Sequence, residues 1–190
     1  MTAYTKMILH AYTLEEEDPH KNLYSIINDD LPSSIPKKVN RHIDLIKLIS
    51  GLIKIKSLKC FSGIVYRASS FKDELIKKIK AGLTITNSAF WSSSKKESVA
   101  KDFLQQYHRN ILIIIKAGLN NNIDIHLEKI SIYPDEEEIL FLPFCIFKIK
   151  SFEEVVENNF KFYKLMLESS SDSSLIEPLD ENSIDILNGI

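Results

Sequence analysis

The chain has 190 residues, 44% of them hydrophobic and 26% charged, which fits one compact domain with enough apolar material for its own core. Its 24 Lys and Arg nearly balance its 26 Asp and Glu, and a net charge of -2 gives no global electrostatic footprint for nucleic acid or an anionic membrane. The longest aliphatic run, Ile111 to Ile115, is far below the ~20 residues of a membrane-spanning helix, and Glu15-Glu16-Glu17 cuts the first apolar stretch too short for a secretory signal.

From Thr13 to Asp30, Leu14, Leu23, Ile26 and Ile27 sit among charges, and Leu31-Pro32-Ser33-Ser34-Ile35-Pro36 then breaks the pattern, predicting a helix followed by a loop. Asn40 is the expected cap of a second helix, in which Ile43, Ile46, Leu48, Ile49, Leu52 and Ile53 recur at helical spacing through about Lys54. Ile64-Val65-Tyr66 predicts a strand, Phe71 to Lys80 a helix ended by Gly82, Leu83 to Trp91 a strand, and Ser94 to Gln106 a helix with Val99, Phe103 and Leu104 on one face. Five short strand-like runs follow: Ile111 to Ile115, Ile123 to Leu127, Ile139 to Leu142, Phe144 to Ile149 and Phe160 to Leu167. A helical front and a strand-rich back indicate an α+β domain over 1–167. Residues 168–190 hold six acids and no Lys or Arg around a serine run, and read as an acidic, mobile or loosely docked tail.

The five glycines are too scattered for a phosphate-binding loop, and the five histidines have no metal-ligand spacing, so no metal is expected. Cys60 and Cys145 are expected to be reduced and buried, as in a cytoplasmic protein. Three features remain. Asp135-Glu136-Glu137-Glu138 precedes a strand; if the extended period reaches back to Glu136, then Glu136 and Glu138 share a face and Glu137 points away. Such a pair raises at least one carboxyl pKa and suits acid/base chemistry or a bound cation, while a solvated acidic turn has the same spacing. Arg67, at the end of an apolar strand, suits either a phosphate or an internal ion pair. Ser92-Ser93-Ser94 lacks the setting of a nucleophilic serine, and Ser94 can cap the helix that follows.

In this order the motifs resemble the signature of the mono-ADP-ribosyltransferases of the Arg-Ser-Glu type, which include vertebrate ecto-enzymes and bacterial toxins and effectors. Ala11-Tyr12-Thr13 and Tyr24 to Leu31 are similar to that family's helical lobe. Val65-Tyr66-Arg67 resembles its Val-Tyr-Arg-Gly strand, with Ala68 in place of the glycine. Phe90-Trp91-Ser92-Ser93-Ser94, followed by Ala100 and Phe103, resembles its Phe-x-Ser-Thr-Ser segment, and Tyr133-Pro134 with Glu136-Glu137-Glu138 its Glu-x-Glu loop.

The resemblance implies a helical N-terminal lobe packed beside a two-sheet β core, with NAD+ as co-substrate in a cleft and no metal. It implies transfer of ADP-ribose to a protein side chain, arginine before others. Glu138 would stabilise the ribosyl cation, with Ser92 orienting it. Arg67 would hold the pyrophosphate, Ala68 would offer its backbone to the nicotinamide, and Ser94 would shape that site or only cap the helix. Glu136 would activate the acceptor, and the loop from Glu128 to Asp135, with Tyr133 at its turn, would face the target protein. The expected partner is that target alone, with no nucleic acid or membrane, and the chain acts as a monomer in the cytoplasm or after delivery to a host cell as an effector. An NAD glycohydrolase and a catalytically silent NAD-binding or interaction module remain as alternatives.

Overall fold

Two prolines divide the helical front. In the computed structural model, which describes residues 7, 9, 10, 13, 22–33, 36–54, 56–127, 129–170 and 183–186, helix α1 spans Leu23–Asp30 and helix α2 spans Pro36–Lys54. Helix α2 starts before the expected Asn40 cap because Pro36, with its φ fixed in the helical range and no N–H to leave unpaired, suits a first helical position. Asn40 therefore lies inside the helix. Ile27 of the first helix, Leu31 just after it, and Ile46, Ile49 and Ile53 of the second enter the main core. The part of the expected first helix between Leu14 and Lys21 lies outside the described residues, as do Ala11, Tyr12 and Glu128.

Strand β1 is Gly63–Ser69, α3 is Asp73–Ile76, β2 is Thr84–Asn87, β3 is Trp91–Ser94 and α4 is Glu97–Gln106. Strands β4 (Ile111–Ala117), β5 (Asn122–Asp124), β6 (Glu138–Phe141), β7 (Ile146–Glu157), β8 (Phe160–Ser169) and β9 (Ser183–Ile186) complete the order. Helix α3 is a single turn rather than the ten residues expected. Beyond Ile76 the amides of Lys78 and Ile79 donate to carbonyls three residues back, so the chain unwinds once Leu75, Ile76 and Ile79 have reached the core. The single strand expected from Leu83 to Trp91 is two. Buried Asn87 ends the first, donating from Nδ2 to the carbonyls of Ala89 and Leu142 and accepting the Cys145 N–H, which bends the chain before Trp91.

The strands form one hydrogen-bonded sheet in the order β5-β6-β3-β1-β4-β8-β7-β2-β9. All neighbours are antiparallel except β4 with β8 and β2 with β9. Strand β4 is covered on both sides, which explains its unbroken aliphatic run. Ile111, Ile113 and Ile115 belong to the main core, whereas Leu112 packs with Ala100 and Leu104 of α4 and with Ala68 and Phe162. Four strand steps separate β3 from β7, about 19 Å across a flat sheet. Yet the rings of Trp91 and Phe147 stack with centroids 5.4 Å apart, and Phe141 meets Phe147 edge-on at the same distance. The sheet is therefore folded over so that its two halves face each other. The two-sheet core expected from the resemblance is realised as one continuous sheet folded over on itself, with the helices packed beside it.

Glu168 and Ser169, assigned to the tail from sequence, are the last residues of β8, and β9 pairs in parallel with β2. Cys60 and Cys145 are free thiols, the first half-buried and the second buried. Among the described residues no helix is long and apolar enough to cross a membrane.

Candidate active site

The three sequence motifs lie on three adjacent strands. Strand β3 sits between β1 and β6, with Ser94 opposite both Tyr66 and Glu138, and Ser92 opposite Leu140. Antiparallel pairing thus brings Arg67, Ser92 and Glu138 together from positions far apart in the chain. They line one cleft of about 410 Å³ with Ala68, Ser94 and Glu136, so all six sequence-proposed residues meet there. Tyr24 and Asn28 of α1, Phe90, Phe103, Tyr107 and Tyr133 complete much of the wall. The cleft lies within the size range of small-molecule sites.

Glu138 is the first residue of β6 and only 8% exposed. Burial pushes its carboxyl above the ordinary carboxylate value; a Ser92 hydrogen bond pulls down, the Glu136 charge pushes up, and the Arg67 charge and a Ser131 hydrogen bond pull down. Arg67 is held rigidly: its Nη1 donates to the Ser92 carbonyl at 2.7 Å, and the guanidinium carbon lies 5.7 Å from the centroid of the Trp91 ring. Its position is fixed by a main-chain carbonyl and an indole, and its charge is felt at Glu138.

Glu136 and Glu138 reach the same cleft, by a different route from the one the sequence implies. Pro134–Glu136 is a 3₁₀ turn, Glu137 has left-handed backbone at φ 47° and ψ 53°, and the strand begins only at Glu138. Alternation therefore does not extend back to Glu136; the left-handed residue does the turning. Glu137 itself points away and pairs with Lys96 at 3.1 Å. Ser94 does not cap α4, whose N-cap is Lys96. Its hydroxyl donates to the Glu136 carbonyl at 2.6 Å and accepts the Lys96 N–H at 2.9 Å.

Two cleft or near-cleft groups escape a sequence reading. Arg109 donates from Nη1 to the Ala68 carbonyl at 2.7 Å and lies 5.6 Å from the centroid of the Tyr107 ring. Its position follows from the end of α4, where left-handed His108 (φ 49°) lets the Arg109 N–H return to the Leu104 carbonyl. The only sequence signal is an arginine at the mouth of an aliphatic strand. Ser131 is the second hydroxyl on Glu138 and accepts the Tyr133 N–H at 3.0 Å. Among the described residues no group of three or more His, Cys, Asp or Glu side chains is gathered as a metal site. The arrangement offers two fixed guanidinium groups for a polyanion, and one buried and one half-buried carboxylate for a developing cation and a proton.

Residues 7–174 match the family model for NAD:arginine ADP-ribosyltransferase. No curated protein matches the chain significantly. Among solved structures the chain is similar to the Vis toxin, an ADP-ribosyltransferase from Vibrio splendidus, at 22% identity and a TM-score of 0.66 over 97% of this chain and 78% of that one. Vis in complex with agmatine gives 21% identity and a TM-score of 0.68 over 92% of this chain and 78% of that one. It is likewise similar to the ADP-ribosyltransferase HopU1 of Pseudomonas syringae pv. Tomato, at 21% identity and a TM-score of 0.66 over 87% and 76% of the two chains. Exoenzyme S from Pseudomonas aeruginosa, solved with human 14-3-3 protein beta and carba-NAD, gives 15% identity and a TM-score of 0.63 over 90% and 75%. At these identities the likeness establishes a shared fold.

Proposed function

The chain belongs to the NAD:arginine ADP-ribosyltransferase family, and on that premise we propose that it moves ADP-ribose from NAD+ to an arginine of a target protein, releasing nicotinamide. The observation that carries this reading is the meeting of Arg67, Ser92 and Glu138 on three adjacent strands around one cleft. The residues present fit the co-substrate. Arg67 and Arg109, each fixed by a main-chain carbonyl, supply the forked donors that suit a pyrophosphate. Glu138 is set for the ribose, where the bond from C1′ to the nicotinamide nitrogen breaks. Its electrons leave with nicotinamide, and positive charge grows on the sugar as in glycoside cleavage. A buried, oriented carboxylate stabilises that charge without needing to reorganise. Ser92 and Ser131 hold the carboxylate in place.

Glu136 takes the second task. An arginine guanidinium, with a pKa above ~12, is a poor nucleophile until a carboxylate orients it and accepts a proton as its nitrogen bonds to C1′. The agmatine complex of the similar Vis toxin supports a guanidine as acceptor. The toxin and effector character of the similar proteins supports a working place inside another cell.

The test follows nicotinamide release and label transfer to agmatine side by side. Glu138→Gln should lower nicotinamide release by about 10²-fold or more, the scale for removing one preorganised electrostatic group. Glu136→Gln should lose transfer while retaining measurable hydrolysis. Near-normal turnover by the first variant overturns the assignment of Glu138, and undiminished transfer by the second overturns arginine as acceptor. Nicotinamide released by the unaltered chain without any label transfer makes it a hydrolase.

A further inference from the structure

A run of four acids repels itself, and such a segment is ordinarily solvated and loosely held. Here it is held at three consecutive carbonyls by three consecutive residues of the turn between β3 and α4. Ser94 Oγ donates to the Glu136 carbonyl at 2.6 Å, the Lys95 N–H to the Glu137 carbonyl at 3.3 Å, and Lys96 Nζ to the Asp135 carbonyl at 2.9 Å. Lys96 Nζ also reaches the Glu137 carboxylate at 3.1 Å, which keeps that carboxyl below its ordinary value. One ammonium thus bridges both sides of the Glu136 peptide and fastens Glu137 in a left-handed conformation that residues with a Cβ rarely adopt.

The start of the same loop has a separate anchor. Lys95 Nζ pairs with fully buried Asp124 at 2.7 Å and lies 4.9 Å from the centroid of the Phe61 ring, and the other Asp124 oxygen accepts the Leu127 N–H at 2.9 Å. Adjacent lysines therefore fix the departure and the return of the loop that carries Tyr133 and Glu136. Glu138 is seated by other bonds, its pairing with Ser94 and the Ile125 and His126 amides, which donate to its carbonyl.

We propose that Lys96 is a positioning residue for Glu136, holding the acidic turn in the geometry that favours transfer to an acceptor over hydrolysis by water. The inference rests on the reading of Glu136 as the acceptor-activating group. Lys96 is partly exposed, its side chain 43% accessible, so replacing it leaves no buried hole.

The experiment uses the full chain with NAD+ and agmatine, comparing Lys96→Met, Lys96→Arg and Glu136→Gln, with hydrogen exchange followed over residues 129–138. Lys96→Met should lower the ratio of transfer to hydrolysis by about tenfold, a loss within the range caused by misplacing a reacting group. It should raise the KM for agmatine, leave that for NAD+ unchanged and speed exchange in the turn, while acceptor-free NAD cleavage stays near that of the unaltered chain. Lys96→Arg, which keeps the charge and its donors, should restore the ratio. If Lys96→Met leaves both the ratio and the exchange of the turn unchanged while Glu136→Gln lowers the ratio, the inference fails and the reading of Glu136 stands. If Glu136→Gln leaves the ratio unchanged, that reading fails and takes the inference with it. A parallel loss of both activities in Lys96→Met, without rescue by arginine, makes Lys96 a stability element and overturns the proposal.

Discussion

Glu138 carries a conflict between stability and chemistry. Burial first, then the Glu136 charge, raises its carboxyl above the ordinary 4.5, against the pull of Ser92, Arg67 and Ser131. The proposed task needs the ionised form, so NAD cleavage should rise with pH along an acid limb centred above 4.5, and Glu136→Gln, by removing a like charge, should move that limb down; a pH profile of nicotinamide release measures both. The sign for stability is the reverse. A carboxyl whose folded pKa is raised costs nothing below its unfolded pKa, and the cost is complete above the folded one. Glu138→Gln should therefore raise Tm at neutral pH, and the gain should vanish below about pH 4, where the carboxyl is protonated in both states; thermal melts at the two pH values check this. The meeting of Arg67, Ser92, Glu136 and Glu138 in one cleft was legible because each sits in a short motif of the resemblance. Arg109 and Ser131 were not, since each depends on a left-handed residue or a loop path that brings a remote backbone group within reach.

At the scale of elements, hydrophobic period located most helices and strands but not their ends. Short-range capping chemistry moved the start of α2 from Asn40 to Pro36, and a tertiary contact, the Asn87 amide, cut one expected strand in two. Neither is written in apolar spacing. Helix α1 shows a further device. It ends in Asp29-Asp30 with no basic residue in its last turn, which places negative charge at the negative end of the helix dipole. Asp30 is compensated from α2: His42 Nε2 lies at 2.9 Å from its carboxylate, with Arg41 at 3.3 Å and Lys38 at 3.5 Å. The His42 hydrogen bond foremost, and the charges of Arg41 and Lys38, hold the Asp30 carboxyl below 3.8. A depressed pKa contributes stability that is present above the unfolded value and is lost as pH falls through the folded one. Asp30→Asn should cost about 1 kcal/mol at neutral pH, the net scale of one hydrogen bond to a charged partner after exposure is discounted. It should also flatten the fall of stability below pH ~4, which urea titrations across that range would reveal.

The whole molecule is organised by a sheet that folds over on itself, with the cleft strands β6, β3 and β1 toward one end of the strand order and β7, β2 and β9 toward the other. Helical lobe and strand-rich back were legible from the order of periodic segments. The fold-over was not, since it rests on contacts such as Trp91 with Phe147 between residues 56 positions apart. Strand β9 covers the outer edge of β2, and open edges invite association. Removing residues 171–190 should leave nicotinamide release intact, since none of the described cleft residues is among them. It should lower Tm by about 3 °C for each kcal/mol of pairing lost and promote self-association, which light scattering and a melt would register. A shortened chain that melts unchanged and self-associates no more than the full chain overturns the structural role of β9. The core ring that marks the fold-over has one more property. Trp91 is the only tryptophan in the chain, buried, stacked on Phe147 and 5.7 Å from the Arg67 guanidinium carbon. All indole emission therefore originates at the junction of core and cleft, and a single fluorescence signal reports both the folding-over of the sheet and the environment of the arginine beside it.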